Sequence, residues 1–304
     1  MRVTNQGMLN NYLNNLNRNL TQMSKYQNQL SSGKEMSRPS DDPFAVTKAM
    51  SLTTTIHQNQ QYLRNIEDSM GWVDMTDSTL GNLGDVLNRI RELVVQGANG
   101  PLSDTDRGAV QDEVEQLVDQ IAQIGNSNYD GRYIFGGQAT TQPPFKVGEY
   151  GLEYNGANED QNQMLVREIS PNVTMEINVP GNWIIQGRNQ EIPIDLPTTL
   201  NSIVDALETG DTKRLGGELL QQLDKHMDNI LSIRSEMGAK YNRLEAAQSK
   251  NQYETLNMTK LLSKTEDIDF AEKIMQYMNM ESVYMASLAT GAKILQPTLL
   301  DFLG

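Results

Sequence analysis

Cysteine is absent from all 304 residues. Its absence excludes a disulfide framework, thiolate metal sites and a cysteine nucleophile together, and it suits a chain that is exported and holds together without cross-links. Aromatic residues make up only 6% and mean hydropathy is -0.54. There is little material for one thick core, so the apolar residues are expected in helix seams. No apolar run approaches the ~18 residues of a bilayer span, and the residues after Met1-Arg2 lack the apolar stretch of a cleavable secretory signal. The expectation is no membrane insertion, and either a cytoplasmic location or export by a route that needs no such signal. Positive charge is also short. The formal net charge of -14 disfavours nucleic acid and anionic lipid as partners, and the acidic residues are interspersed as on a solvated surface.

Histidine is nearly as scarce. His57 and His226 each sit beside an apolar residue of a helical stripe, with no second histidine at ligand spacing. Surface or seam-flanking positions are expected for both, not metal ligation. Zincin, nucleophile-elbow, Walker A and EF-hand patterns do not occur. The carboxylate pairs Asp41-Asp42, Asp104 with Asp106, and Asp112-Glu113 stand at expected helix starts, where caps and dipole partners explain them better than acid-base catalysis. Met275, Met278, Met280 and Met285 read as adaptable fillers of a helix seam and not as soft-metal ligands. No catalytic residue, metal or cofactor is expected.

What the chain does have is heptad periodicity at both ends. Leu9, Leu13, Leu16, Leu20, Met23, Gln27 and Leu30 recur at alternating spacings of four and three between asparagine-rich flanks, the pattern of a helix with one apolar line that needs a partner helix. The matching segment carries Ala271, Met275, Met278, Ser282, Met285, Leu288, Ala292, Leu295, Leu299 and Phe302. The two ends are expected to form one coiled coil, marginal alone, whose remaining apolar surface finds other copies of the chain.

Between the ends, Gly33 and the stretch Arg38, Pro39, Ser40, Asp41, Asp42, Pro43 form a hinge. Glycine ends the first helix, the prolines forbid its continuation, and Ser40 or Asp41 is the expected cap of the next. That second helix carries a stripe from Ala49 through Leu52, Ile56, Leu63, Ile66 and Val73 to Leu80, Leu87 and Val94, roughly fifty residues or about 75 Å of helix. Gly97, Gly100 and Pro101 end it, and a third helix from Ser103 or Asp104 closes at Gly125. An Asp130-Gly131 turn leads into an expected strand, Tyr133-Ile134-Phe135. From Thr140 to Pro197 no helical stripe is visible, and alternation such as Val173, Met175, Ile177, Val179 indicates strands. Helical period returns through Ile203 and Leu207 to Gly210 and then from Leu220 to Leu262, where Arg234, Gln248, Asn251 and Thr255 interrupt the seam and fix its register. A second hinge, Thr265 to Phe270, is expected opposite the first.

The expected fold is mainly α: long antiparallel helical rods, a paired N/C-terminal coiled coil and a small β-rich insert. The domains are residues 1–40 with 265–304 (coiled coil), 41–138 with 197–264 (rods) and 139–196 (insert).

Several stretches make the chain recognisable. Leu30-Ser31-Ser32-Gly33 through Arg38-Pro39-Ser40-Asp41-Asp42-Pro43, Leu87-Asn88-Arg89-Ile90-Arg91-Glu92-Leu93-Val94-Val95-Gln96, Gln111-Asp112-Glu113-Val114 and Glu266-Asp267-Ile268-Asp269-Phe270-Ala271 closely resemble the flagellin family, in the right order at both ends. Asn128-Tyr129-Asp130-Gly131-Arg132-Tyr133-Ile134-Phe135-Gly136-Gly137 and the ending Leu295-Gln296-Pro297-Thr298-Leu299-Leu300-Asp301-Phe302-Leu303 resemble members at the hook-filament junction more than those that build the filament. The Arg89 to Gln96 segment, in contrast, is strongly filament-like.

The resemblance implies a structural role in the extracellular bacterial flagellum, self-assembly as a ring on hook-associated protein 1, and a distal face that templates flagellin polymerisation. It implies unfolded passage through the flagellar type III export apparatus, with an export chaperone on residues 271–302. The assembly seams would be Leu9, Leu13, Leu16, Leu20, Met23 and Leu30 with Met275, Met278, Met285, Leu288, Ala292, Leu295, Leu299 and Phe302. A filament flagellin is the alternative. An enzyme displayed on the same frame is a remote third, disfavoured because no histidine lies between His57 and His226.

Overall fold

The computed structural model describes residues 2–36, 38–99, 103–148, 151–156, 164–188 and 191–294. It is mainly α. The long helices are α1 (Arg2–Ser32), α2 (Pro43–Asn99), α3 (Asp104–Gly125), α7 (Leu220–Glu266) and α8 (Phe270–Ile294), with shorter α4 (Gly181–Gln186), α5 (Leu196–Thr209) and α6 (Thr212–Arg214). Contacts divide the described residues into two units, with boundaries between Gln58 and Asn59 and between Tyr253 and Glu254.

The larger unit, from Asn59 to Tyr253, holds the hydrophobic core. Leu80, Leu83, Leu87, Ile90 and Val94 of α2 are buried with Val110, Val114 and Ile121 of α3, Leu200, Ile203 and Leu207 of α5, and Leu223, Ile230 and Met237 of α7. The gap in the α2 stripe between Val73 and Leu80 is filled by Thr76, whose buried hydroxyl donates to the Trp72 carbonyl at 2.8 Å. Ser69 and Thr79 bond back to carbonyls four residues earlier in the same way, so none of these hydroxyls carries the penalty of burial without a partner. Arg91 pairs with Asp224 at 2.7 Å and Arg234 with Asp77 at 3.1 Å; one number rises as the other falls, so α2 and α7 run antiparallel here.

The helix ends obey capping chemistry. Ser103 accepts from the Asp106 amide, and Gly125 is the last residue of α3. Asp195 accepts from Thr198 at the start of α5, with Pro197 in the first turn, and Gly210 ends it in the left-handed conformation. A π-helical turn, Leu215–Leu219, joins α6 to α7.

The described strands form three separate antiparallel ribbons: β1 (Asn128–Tyr129) with β2 (Arg132–Tyr133), β3 (Phe145–Gly148) with β4 (Gly151–Tyr154), and β5 (Val166–Ser170) with β6 (Val173–Glu176). Asp130 and Gly131 both have positive φ, 50° and 75°, the type I′ turn expected of Asp-Gly. Ile134 and Phe135 leave the strand and are fully buried instead. The stretch 139–196 is not purely β. Pro180, Gly181 and Asn182 open α4, whose Trp183, Ile184 and Ile185 are buried; six residues are too few to show a helical period. Asn229 of α7 holds this turn by donating to the Trp183 carbonyl at 2.7 Å.

His226 corrects the expectation of a surface or flanking histidine. It is fully buried, with Nε2 3.2 Å from the hydroxyl of Thr199 on α5. Burial pushes its pKa down to about 4, while the Ile194 backbone and the Asp195 charge act in the opposite direction. His57 is exposed.

Candidate assembly surface

The smaller unit contains the hinge, both terminal helices and the adjoining ends of α2 and α7. Gly33, at φ 71°, ends α1 and donates to the Gln29 carbonyl at 2.8 Å. From there the chain crosses the second hinge: the Glu35 amide donates to the Glu266 carbonyl at 2.7 Å and the Ile268 amide to the Gly33 carbonyl at 3.1 Å. The Lys34 ammonium pairs with Glu266, and Lys273 with Glu35 at 2.8 Å. The two hinges therefore lie side by side, as the sequence indicates. Buried Gln29 strengthens the crossing through its side-chain amide, which donates to the Glu35 carbonyl at 2.6 Å.

The cap of α2 is neither Ser40 nor Asp41 but Asp42, whose carboxylate accepts from the Phe44 and Ala45 amides at 3.1 and 3.0 Å, with Pro43 as the first helical residue. Asp41 instead closes the preceding turn by accepting from the Arg38 amide. Asp269 caps α8 through the Ala271 and Glu272 amides.

Helices α1 and α8 pack on one another; on α1 the contact keeps Leu9, Leu16, Met23 and Leu30 of the expected seam, whereas on α8 it uses a different line. On α1 the covered line is Leu9, Tyr12, Leu16, Asn19, Met23, Tyr26 and Leu30, again at alternating spacings of three and four. Leu13 and Leu20 are displaced one residue round the helix and are 45% and 46% exposed. On α8 the covered line is Lys273, Tyr277, Met280, Tyr284, Ser287 and Gly291. Met275, Met278 and Met285 are 59%, 59% and 60% exposed, and Leu288 and Ala292 also face away. Met280 alone of the four α8 methionines fills the seam. Leu295, Leu299 and Phe302 lie outside the described residues.

The reason is the chemistry of the contact. Tyr12 donates its hydroxyl to the Ser287 carbonyl at 3.0 Å, and its ring occupies the space that a side chain at Gly291 would need, since a Cβ there would stand 2.2 Å from Tyr12 Oη. Small residues on α8 accept large amphipathic rings from α1, and Lys273 lies 5.7 Å from the Tyr26 ring centre. Ile274, Met278, Met285 and Leu288 then form an uncovered apolar stripe about 120° round α8 from the seam. Phe44, Met50, Leu256 and Phe270 of the same unit are also exposed. Its buried apolar residues, among those described, are Ala49, Leu52, Ile56 and Ile268.

Such a surface, with more large apolar side chains outside than inside, suits assembly. Among the described residues no group of histidine, aspartate and glutamate is arranged to hold a metal, and no helix is long and apolar enough to cross a membrane.

Residues 3–140 match the bacterial flagellin N-terminal helical region. That match covers just under half of the chain and, with the crossed hinges and paired terminal helices, supports a flagellin-family protein. The chain is similar to the flagellar hook-associated protein 3 of Escherichia coli (strain K12), 27% identical over 94% of this chain and 95% of that one. It is also similar to the flagellar filament 41 kDa core protein of Borreliella burgdorferi, 26% identical over 84% and 85%. The fold is shared with a flagellar hook-associated protein structure from Vibrio parahaemolyticus, at TM-score 0.67 and 22% identity, covering 75% of this chain and 100% of that one.

Proposed function

We propose that the chain is a structural component of the bacterial flagellum, at the junction between hook and filament. The observation that carries this reading is the uncovered stripe of Ile274, Met278, Met285 and Leu288 beside exposed Leu13 and Leu20 on the paired terminal helices. In the proposed assembly these side chains pack on neighbouring copies, in a ring seated on hook-associated protein 1 whose distal face templates flagellin. The hinge of Gly33, Arg38, Pro39, Asp41, Asp42 and Pro43 sets how the chain turns from α1 into α2 within the smaller unit. Before assembly, the same apolar stripe is the surface an export chaperone would cover, and passage through the type III apparatus places the chain outside the cell. The role needs no catalytic group, and the full-length likeness to a hook-associated protein 3 supports it.

A filament subunit is the second reading, favoured by the likeness to the Borreliella filament protein. Deleting the gene separates the two. Hooks without filaments, with flagellin lost to the medium, are expected of a junction component; intact hooks bearing shortened filaments would establish the filament reading.

A further inference from the structure

The methionines of this chain are partitioned in a way that packing does not require. Among the described residues every exposed methionine belongs to the smaller unit: Met8, Met50, Met275, Met278 and Met285, at 57–66% exposure. In the larger unit Met175 and Met237 are buried and Met70, Met75, Met164 and Met227 are half-buried. With no cysteine in the chain, thioethers are its most readily oxidised side chains.

We propose that Met275, Met278 and Met285 form an oxidant-sensitive modification site, at which hypohalous acids or hydroperoxides convert the unassembled chain to a form that cannot join the flagellum. The proposal rests on the junction reading above. With hypochlorous acid, a sulfur lone pair attacks chlorine and releases hydroxide; water then adds to the chlorosulfonium, and chloride and protons leave. The sum is thioether plus hypochlorous acid giving sulfoxide, chloride and a proton, with sulfur losing two electrons and chlorine gaining them. Each product replaces an apolar surface by a strong, chiral dipole, at Met278 and Met285 on the stripe that must be desolvated in assembly and at Met275 on the exposed face next to it. Assembly in turn covers the sulfurs, so sensitivity is confined to the free chain.

The test treats the purified full-length chain with a few equivalents of hypochlorous acid, locates sulfoxides by peptide mass mapping, and measures cosedimentation with hooks isolated from cells lacking this gene. Sulfoxides are expected at Met275, Met278 and Met285 and not at Met175 or Met237, whose protection also reports that the larger unit stays folded. Cosedimentation is expected to fall by about tenfold for each sulfoxide that must be buried. Methionine sulfoxide reductases acting on both epimers are expected to restore it. Oxidation spread evenly over buried and exposed methionines, or oxidised chain that cosediments as well as untreated chain, would overturn the proposal. Untreated chain that fails to cosediment, while sulfoxides still form selectively, would overturn the junction reading and with it the assembly half of this inference.

Discussion

Acidification should destabilise the larger unit through His226. The imidazole is fully buried against Thr199 and has its pKa pushed down to about 4, against an ordinary value of 6.5. The folded state therefore binds this proton less readily than the unfolded chain does, and the contribution to stability is fully present above pH 6.5. It is lost as pH falls from 6.5 towards 4 and stays level below that, where both states carry the proton. The gap between the two pKa values corresponds to about 3 kcal/mol in total and to about 2 kcal/mol at pH 5. Trp72 and Trp183, the only two tryptophans, are both buried in this unit, so urea unfolding followed by tryptophan fluorescence reads it directly. His226→Gln leaves a polar group beside Thr199 but removes the titration. Its absolute stability will differ, but the loss between pH 7 and pH 5 should be smaller than that of the unaltered chain by about 2 kcal/mol. Parallel losses in the two proteins would show that the imidazole is not held neutral by burial and would refute the argument.

Four further substitutions test the smaller unit. Met278→Asp, on the uncovered stripe, should change the stability of the free chain by no more than about 0.5 kcal/mol yet abolish incorporation, whereas Leu16→Asp, in the α1–α8 seam, should speed amide exchange across residues 9–30 and 273–291 in the free chain; a Met278→Asp chain that still supports filaments would remove that stripe from the assembly surface. Tyr12→Phe deletes the bond to the Ser287 carbonyl and should weaken the α1–α8 pair by about 1 kcal/mol, read as faster exchange confined to these helices. Gly33→Ala places a Cβ on a residue at φ 71° and should cost about 1 kcal/mol, with exchange of the Glu35 and Ile268 amides accelerated; unchanged protection would mean that the crossing does not depend on the left-handed turn.

Much of this architecture was readable from local chemistry. Gly33 and Pro43 bracket the hinge because one favours a left-handed stop and the other tolerates only the first turn of a helix. Asp130-Gly131 dictates a type I′ turn, and Ser103, Gly125 and Gly210 bound their helices through backbone groups only a few residues away. The terminal pairing was legible too, since two narrow seams of matching length had no other partner. Short α4 and the Asp42 cap escaped notice: a six-residue helix shows no period, and three neighbouring residues, Ser40, Asp41 and Asp42, all have the side chain for a cap.

The face used in that pairing is a different matter. On α1 the lines through Leu13 and Leu20 and through Tyr12, Asn19 and Tyr26 share the same heptad spacing, so periodicity cannot rank them, and hydropathy favours the leucines. The folded chain turns the tyrosines inward because Gly291 leaves room for the Tyr12 ring and the Ser287 carbonyl accepts its hydroxyl, facts about a helix more than 250 residues away. His226 follows the same logic: its place beside Met227 marks it as a helical residue, but its burial depends on Thr199 of α5. Backbone conformation is set within a few residues, and the chain alone suffices to read it; the choice between equivalent helix faces is made by the surface that arrives from elsewhere.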